Sequence, residues 1–225
     1  MKKLTILIIV LLTLVGCSKT NTTNIDKQEL KNLPIKEDPN SVKMGESPLN
    51  TKNIDEYLFR NDCIYVDMRE VNQFNSEGYI AGFTNVPFYK LIASLNKEAN
   101  TLYTIQKVVE NKEVVIGFGD INSYTPKYNE SSKVINDIFN KKKNILLISS
   151  AGVESFYTAN LLIQLGYDPS KIYNVGGFSN SVGMGENRKI AYRDLPNAKH
   201  LVHPFMPFNY NIELQDYDLT EYITE

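Results

Sequence analysis

One unit of this sequence constrains the fold most. It consists of a continuous apolar run, a short loop of small residues and an amphipathic segment, in that order. Residues 144–148 read Asn-Ile-Leu-Leu-Ile, which is typical of a strand buried on both faces of a parallel sheet. The loop of residues 149–155 comes next. Beyond it, Phe156, Ala159 and Ile163 fall on one helical stripe. Alternation of such strands and helices predicts an α/β fold, in which helices flank a parallel sheet.

Short motifs lie at the ends of the predicted strands. One apolar run ends in Asp67-Met68-Arg69, residues 77–87 read Glu-Gly-Tyr-Ile-Ala-Gly-Phe-Thr-Asn-Val-Pro, and residues 171–178 end in Gly-Gly-Phe. Together with the loop at 149–155, these segments resemble the rhodanese-like family, whose motifs read Asp-x-Arg, Gly-His-Ile-x-Gly-Ala-x-Asn-x-Pro and Cys-x-x-Gly-x-Arg-Ser. The resemblance covers residues 53–178. It implies a rhodanese-like parallel sheet flanked by helices, with an insertion before the loop.

Two loop positions depart from the family pattern. Ser149 stands where the family has its cysteine and Glu154 where it has its arginine, whereas Gly152 and Ser155 match. The family carries sulfur as a persulfide, which needs a thiolate stabilised by backbone N–H groups and positive charge. The resemblance therefore implies a degenerate loop without sulfurtransferase activity, on a domain that acts as a binding or scaffold module. The loop residues interpreted in this way are Ser149, Ser150, Ala151, Gly152, Val153, Glu154 and Ser155.

An enzyme of another kind is the alternative. A serine hydroxyl reacts only beside a base, and the two histidines, His200 and His203, lie far from Ser149 along the chain. If folding brought either imidazole to Ser149, the chain would be a hydrolase or a sulfur or phosphoryl transferase. Two histidines without a third ligand make a weak zinc site, so we predict neither a metal nor a cofactor. Cys63 lies in an apolar strand, where we expect an inert thiol.

Asp67 and Arg69 are candidates for either structure or binding. They follow a predicted strand, and an acid and a base at a strand end usually pair and orient the adjoining loops. We expect that structural role, and keep both residues as candidate binding residues. Gly78 and Gly82 further along the motif predict tight turns.

An insertion of about residues 88–143 separates the early motifs from the loop. Within it, residues 113–119 predict a strand and residues 120–132 an exposed loop. That loop carries Tyr124 and Tyr128. It could equally be a plain connection or a recognition surface, because tyrosine supplies large amphipathic contacts at low entropic cost.

The first residues predict a targeting signal rather than part of the folded domain. Lys2 and Lys3 precede an apolar stretch at 4–15 that is too short to span a bilayer as a helix, and it leads to Cys17 through Leu-Val-Gly. This run resembles the lipobox of bacterial lipoproteins, which implies cleavage before Cys17 and its acylation. We therefore expect residues 1–16 to be a lipoprotein signal peptide. The mature chain would then be lipid-anchored at the extracytoplasmic face of the cell membrane.

Composition sets the remaining boundaries and the classes of partner. Residues 17–50 are polar and lack an apolar period, which predicts a flexible tether. Residues 51–225 form the expected domain, with a C-terminal extension at 179–225. The formal net charge of −2 and the absence of a long basic run argue against nucleic acid. The expected partners are the membrane, through the lipid on Cys17, and a protein of the cell envelope.

Overall fold

The structure is a computed structural model, and it describes residues 31–92, 101–107, 121–180 and 191–203. The strands are β1 (Cys63–Asp67), β2 (Tyr79–Ile80), β3 (Thr84–Asn85), β4 (Tyr103–Lys107), β5 (Ile121–Pro126), β6 (Asn144–Ser149), β7 (Ile172–Gly177) and β8 (Leu201–Val202). The α-helices are α1 (Val71–Glu77), α2 (Phe88–Leu91), α3 (Ser131–Ile138) and α4 (Val153–Gln164). Short 3-10 helices lie at Met44–Glu46, Ile54–Tyr57, Pro169–Lys171 and Tyr192–Asp194.

Four strands form a parallel sheet in the order β3-β1-β6-β7. At its centre, Ile145 of β6 pairs with Ile64 of β1 and with Ile172 of β7. Every residue of β6 after Asn144 is buried, as expected for an apolar run covered on both faces. The predicted α/β fold with a parallel sheet flanked by helices is confirmed.

Two hydrophobic cores form on opposite faces of this sheet. Along β6, Ile145 and Leu147 belong to one core and Leu146 and Ile148 to the other, because successive side chains of a strand point to opposite faces. Helices α3 and α4 and the pair β4–β5 contribute to the first core. The carboxyl ends of β1, β6 and β7 meet at one edge of the sheet. The segments that follow these strands are therefore neighbours in space.

The antiparallel pair β4–β5 corrects the prediction of an exposed loop at residues 120–132. Strand β5 pairs with β4 along its length. The hydrogen bonds of this pairing satisfy the backbone N–H and C=O groups, which in an exposed loop would contact water. Tyr124 turns inward, is buried, and donates its hydroxyl hydrogen to the carbonyl oxygen of Tyr157 at 2.8 Å. Tyr124 is therefore a core residue, and its proposed place on a recognition surface is wrong. The strand predicted at 113–119 lies outside the described residues.

Helix α3 begins at Ser131. Tyr128 precedes it, is half-buried, and donates its N–H to Ser131 Oγ at 3.1 Å. Beyond the end of α3, Lys141 Nζ donates to the carbonyl oxygen of Leu165 at 2.7 Å. Because the last carbonyls of a helix have no partner within it, this contact stabilises the end of α4.

Residues 31–50, called the arm below, pack against the domain. Lys36 is buried, and its Nζ donates to the carbonyl oxygens of Ser41 at 2.6 Å and Pro169 at 2.8 Å. Burial lowers the pKa of Lys36 to about 8. Leu49 at the other end of the arm is fully buried in the second core. The arm is thus held at both ends.

The position of the arm corrects the flexible tether predicted for residues 17–50 in its part from residue 31 onward, whereas residues 17–30 lie outside the described residues. Its polar composition lacks an apolar period, yet a few buried side chains fix it to β7 and the second core. Such long-range contacts leave no local signal in the sequence. The signal peptide predicted at 1–16 and the acylation site Cys17 lie outside the described residues. No helix in the described ranges is both long and apolar enough to cross a membrane.

The C-terminal extension is described for residues 191–203. Strand β8 pairs with β2, with Val202 opposite Tyr79. The Tyr192 hydroxyl donates to Asp55 Oδ1 at 2.6 Å. These two contacts hold the extension against the second core, where Tyr192 is fully buried.

Candidate functional site

The loop of residues 149–155 lies at the carboxyl edge of the sheet, between β6 and α4. Gly152 ends the tight turn with a left-handed backbone, at φ +83°, which favours glycine. Its carbonyl oxygen accepts from Asn174 Nδ2 at 2.9 Å. The Ser150 carbonyl oxygen accepts from the N–H of Asn180 at 2.9 Å. The loop is therefore anchored to the segment around β7 on both sides of its turn.

Ser149, at the position of the family's cysteine, is completely buried. Its Oγ accepts from the N–H of Ser155 at 3.4 Å, and its carbonyl oxygen accepts from the N–H of Phe178 at 2.8 Å. Within the described residues, no basic or acidic side chain hydrogen-bonds its hydroxyl. A serine in this environment has neither an activating base nor an open path for a substrate.

The two histidines that the sequence offers as a distant base make other contacts. The His200 ring packs edge-on against Phe59, with ring centroids 5.2 Å apart, and the backbone N–H of His200 donates to the Tyr192 hydroxyl oxygen. His203 is exposed just after β8. Among the described residues, no hydrogen bond joins either imidazole to Ser149, so the geometry does not assemble the expected Ser-His arrangement.

Helix α4 opens with three buried oxygen atoms that lack a hydrogen-bond partner among the described residues. They are Glu154 Oε2, Ser155 Oγ and Thr158 Oγ1. Ser155 and Thr158 are completely buried, whereas Glu154 is half-buried. Residues one turn apart share a helical face, so Thr158 lies beside both Glu154 and Ser155. Buried polar atoms without partners are uncommon in proteins, and the first two turns of α4 contain three of them.

Helix α2 lies across from this part of α4 and carries a second polar group. The ring of Phe88 contacts that of Tyr157, with centroids 6.0 Å apart. The next residue, Tyr89, is 42% exposed. Partial burial raises the pKa of Tyr89, and the charges of Glu154 and Glu70 raise it further. Helix α2 thus places a partly exposed phenol on the side of α4.

Asp67 and Arg69 form a buried ion pair, and the predicted pairing is confirmed. Arg69 Nε lies 3.0 Å from both carboxylate oxygens, and its NH2 group lies 2.7 Å from Asp67 Oδ2. The same guanidinium donates to the Gly78 carbonyl oxygen at 2.8 Å and lies 3.6 Å from the ring centroid of Phe178. The pair thus joins the ends of β1, α1 and β7. Both side chains are fully buried, so neither is available to a ligand from solvent.

The arm reaches the loop through Met44. A Cβ added at Gly152 would lie 2.5 Å from Met44 Sδ, and one added at Gly176 would lie 3.2 Å from it. Between the arm and α4 lies an open cleft of about 310 Å³. It is lined by Lys43, Met44, Gly45, Ala151, Gly152, Val153, Phe156, Tyr157 and Asn174. The arm therefore covers one side of the loop.

We expect Gly152→Ala to lower the free energy of unfolding by about 1–3 kcal/mol. The left-handed backbone alone costs an alanine about 1–2 kcal/mol, and the new methyl group must displace Met44 Sδ. Chemical denaturation measures the loss. In a Met44→Ala background the methyl group meets no sulfur, so the cost of the same change should be smaller. An equal cost in both backgrounds would show that Met44 does not pack on the loop.

Cys63 cannot replace the missing thiol. It begins β1, at the opposite edge of the sheet from the loop, and is 6% exposed. Burial and, to a smaller extent, the charge of Asp62 raise the pKa of its thiol to about 11. At neutral pH the thiolate is negligible, so Cys63 is the inert residue that the sequence predicts.

The described residues contain no group of three or more His, Cys, Asp or Glu side chains that could hold a metal ion. No protein-family model matches the chain, and a search of curated proteins finds no match either. Sequence reasoning identified the loop and the Asp67–Arg69 pair. It missed Met44, for which the sequence carries no motif, because only the fold brings it to the loop.

Proposed function

We propose that this chain is a membrane-anchored, extracytoplasmic rhodanese-like domain that lacks sulfurtransferase activity and acts as a binding module. The burial of Ser149 carries this proposal, because a hydroxyl without a base or an open path cannot start a transfer reaction. Glu154 adds to it, since a carboxylate in the first turn of α4 opposes binding of an anionic sulfur donor.

The arrangement of the motifs supports the rhodanese-like part of the proposal. The Asp67–Arg69 pair, the loop and the Gly-Gly-Phe segment come from different parts of the chain and meet at the carboxyl edge of the sheet. In open α/β sheets, ligands bind at this edge. A binding role at the same place therefore follows from the fold class, even where the chemistry of the loop has been lost.

The enzyme alternative has no specific observation in its favour. It needs a base at Ser149, and the Ser149 hydroxyl instead accepts from a backbone N–H. The cell-envelope location rests on the N-terminal residues, whose resemblance to a lipobox is a separate argument from that of the loop.

We expect the purified full-length protein to transfer no sulfur from thiosulfate to cyanide. The assay measures thiocyanate formation, with an active sulfurtransferase as positive control and Ser149→Ala as matched variant. Background rates that are equal for wild type and Ser149→Ala support the proposal. Turnover by the wild type that disappears in Ser149→Ala would refute it and favour an enzyme that uses this serine.

We expect Cys17→Ala to abolish lipid attachment completely. Acyl transfer requires the Cys17 sulfur, and the lipid contributes about 0.8 kcal/mol of membrane affinity per buried CH₂. Mass spectrometry of the protein expressed in a bacterial host measures the acyl mass, and fractionation measures membrane association. Cys63→Ala, which removes the buried cysteine, is the control and should remain acylated. Soluble, identically cleaved protein from both wild type and Cys17→Ala would contradict lipidation.

A further inference from the structure

We propose that Met44 is an oxidation site that controls how the arm covers the loop. A peroxide converts its thioether to a sulfoxide, and residues 43–46 then leave the loop. The reaction transfers one oxygen atom from hydrogen peroxide to the Met44 sulfur and releases water. The sulfur loses two electrons, and the O–O bond of the peroxide is broken and reduced. This inference goes beyond the proposed binding function and does not depend on it.

The Met44 sulfur lies in a hollow that exists because two residues at the loop lack side chains. Gly152 and Gly176 both adopt left-handed backbones, at φ +83° and +116°. A Cβ added at Gly152 would lie 2.5 Å from Met44 Sδ, and one added at Gly176 would lie 3.2 Å from it. Both distances are shorter than an ordinary contact between non-bonded atoms. The sulfur therefore fills the hollow, and an oxygen atom bound to it has no room on the side of the loop.

The surroundings of the hollow suit a thioether better than a polar sulfoxide. The N–H of Gly176 already donates to Asn174 Oδ1 at 3.2 Å, and Asn174 Nδ2 donates to the Gly152 carbonyl oxygen at 2.9 Å. On the other side of Met44, the cleft presents the apolar side chains of Val153 and Phe156. Oxidation turns a flexible apolar side chain into a polar one and disrupts its packing. The contact between the arm and the loop is therefore weaker once Met44 is oxidised.

The position of Met44 gives a small oxidant access and allows the turn to move. Its side chain is half-buried and lines the open cleft of about 310 Å³ between the arm and α4. The short helix Met44–Glu46 contains no buried residue, and a Cβ added at Gly45 would meet no atom within 4 Å. Lys36 and Leu49 hold the arm at both ends, so the turn leaves the loop while the arm stays attached. Oxidation thereby opens the carboxyl edge of the sheet, where ligands bind in this fold class.

Treatment of the full-length protein in detergent with hydrogen peroxide tests the reactivity of Met44. Mass spectrometry of its peptides measures the rate at which each methionine gains one oxygen atom. Met68 is the matched control, because it is 1% exposed and lies in the first core. We expect Met44 to be oxidised at least about tenfold faster than Met68, whose sulfur becomes accessible only through local opening. Equal rates for the two methionines would overturn the proposal.

Limited digestion with trypsin measures the release of the turn. Lys43 directly precedes Met44, and its side chain is 68% exposed, so cleavage after it depends on whether the backbone of the turn is free to open. We expect this cleavage to be at least about fivefold faster after peroxide treatment. Cleavage after Lys142, which is exposed just before β6, should not change.

Two variants assign the effect to the Met44 sulfur. Met44→Leu keeps an apolar side chain of similar volume without a sulfur, so peroxide should not change its cleavage after Lys43. Met44→Gln places a polar side chain in the hollow and should be cleaved faster than Met44→Leu without any peroxide. Thermal unfolding verifies that each variant is folded. The proposal is overturned if peroxide accelerates the cleavage equally in wild type and Met44→Leu, if it accelerates neither, or if Met44→Gln is cleaved like Met44→Leu.

Discussion

Replacing Arg69 with methionine should lower the free energy of unfolding by about 3–5 kcal/mol, because it leaves the Asp67 carboxylate buried without its partner. The same change removes the hydrogen bond to the Gly78 carbonyl oxygen and the contact with the Phe178 ring. The ends of β1, α1 and β7 therefore lose the side chain that joins them. Chemical denaturation measures the loss, and the double variant Asp67→Asn, Arg69→Met should lose less than the sum of the two single changes.

Strand β1 offers a matched control at its other end. Arg60 and Asp62 form a similar bidentate ion pair, in which Arg60 Nε lies 2.9 Å from Asp62 Oδ1 and Arg60 Nη2 lies 2.8 Å from Asp62 Oδ2. The Asp62 side chain, however, is 46% exposed. Because water screens this pair, Arg60→Met should cost about 1 kcal/mol or less. If Arg69→Met cost no more than Arg60→Met while ligand binding were lost, the buried pair would belong to a binding site rather than to the scaffold.

Placing a thiol at the loop should produce a poorly reactive cysteine. In a Cys63→Ala background, we expect Ser149→Cys to react with iodoacetamide at least about tenfold more slowly than an exposed cysteine, because residue 149 is completely buried and must await local opening. The start of α4 lowers the pKa of such a thiol and the Glu154 carboxylate raises it. The helix N-terminus should therefore increase the reactivity of the Ser149→Cys thiol only slightly.

Adding Glu154→Arg should increase the alkylation rate of Ser149→Cys. The arginine removes the negative charge beside the thiolate and supplies a positive one. Mass spectrometry of timed samples measures both rates, and Glu37→Arg, a charge reversal on the exposed face of the arm, is the control for net charge. Equal rates with Glu154→Arg and Glu37→Arg would show that Glu154 does not control the charge at residue 149.

The carboxyl-edge site was predictable from sequence where its residues follow strands directly. The loop of residues 149–155 and the Asp67–Arg69 pair come immediately after apolar runs, and parallel strands place their carboxyl ends at one edge. The burial of Ser149 and the position of Met44 beside Gly152 were not predictable. The Met44 position depends on the arm, which reaches the loop from a distant part of the chain.

The sequence alone determined the sheet, because an uncharged apolar run such as residues 144–148 can be stable only when both of its faces are covered. It also determined the turns at Gly78 and Gly82, which adopt left-handed backbones at φ +88° and +89°, since other residues are strained there. Only the tertiary structure decided which polar segments pack against the domain and which remain exposed. Residues 31–50 pack as an arm and Tyr124 enters the core, because their burial depends on long-range partners such as Pro169 and Tyr157 rather than on any local period.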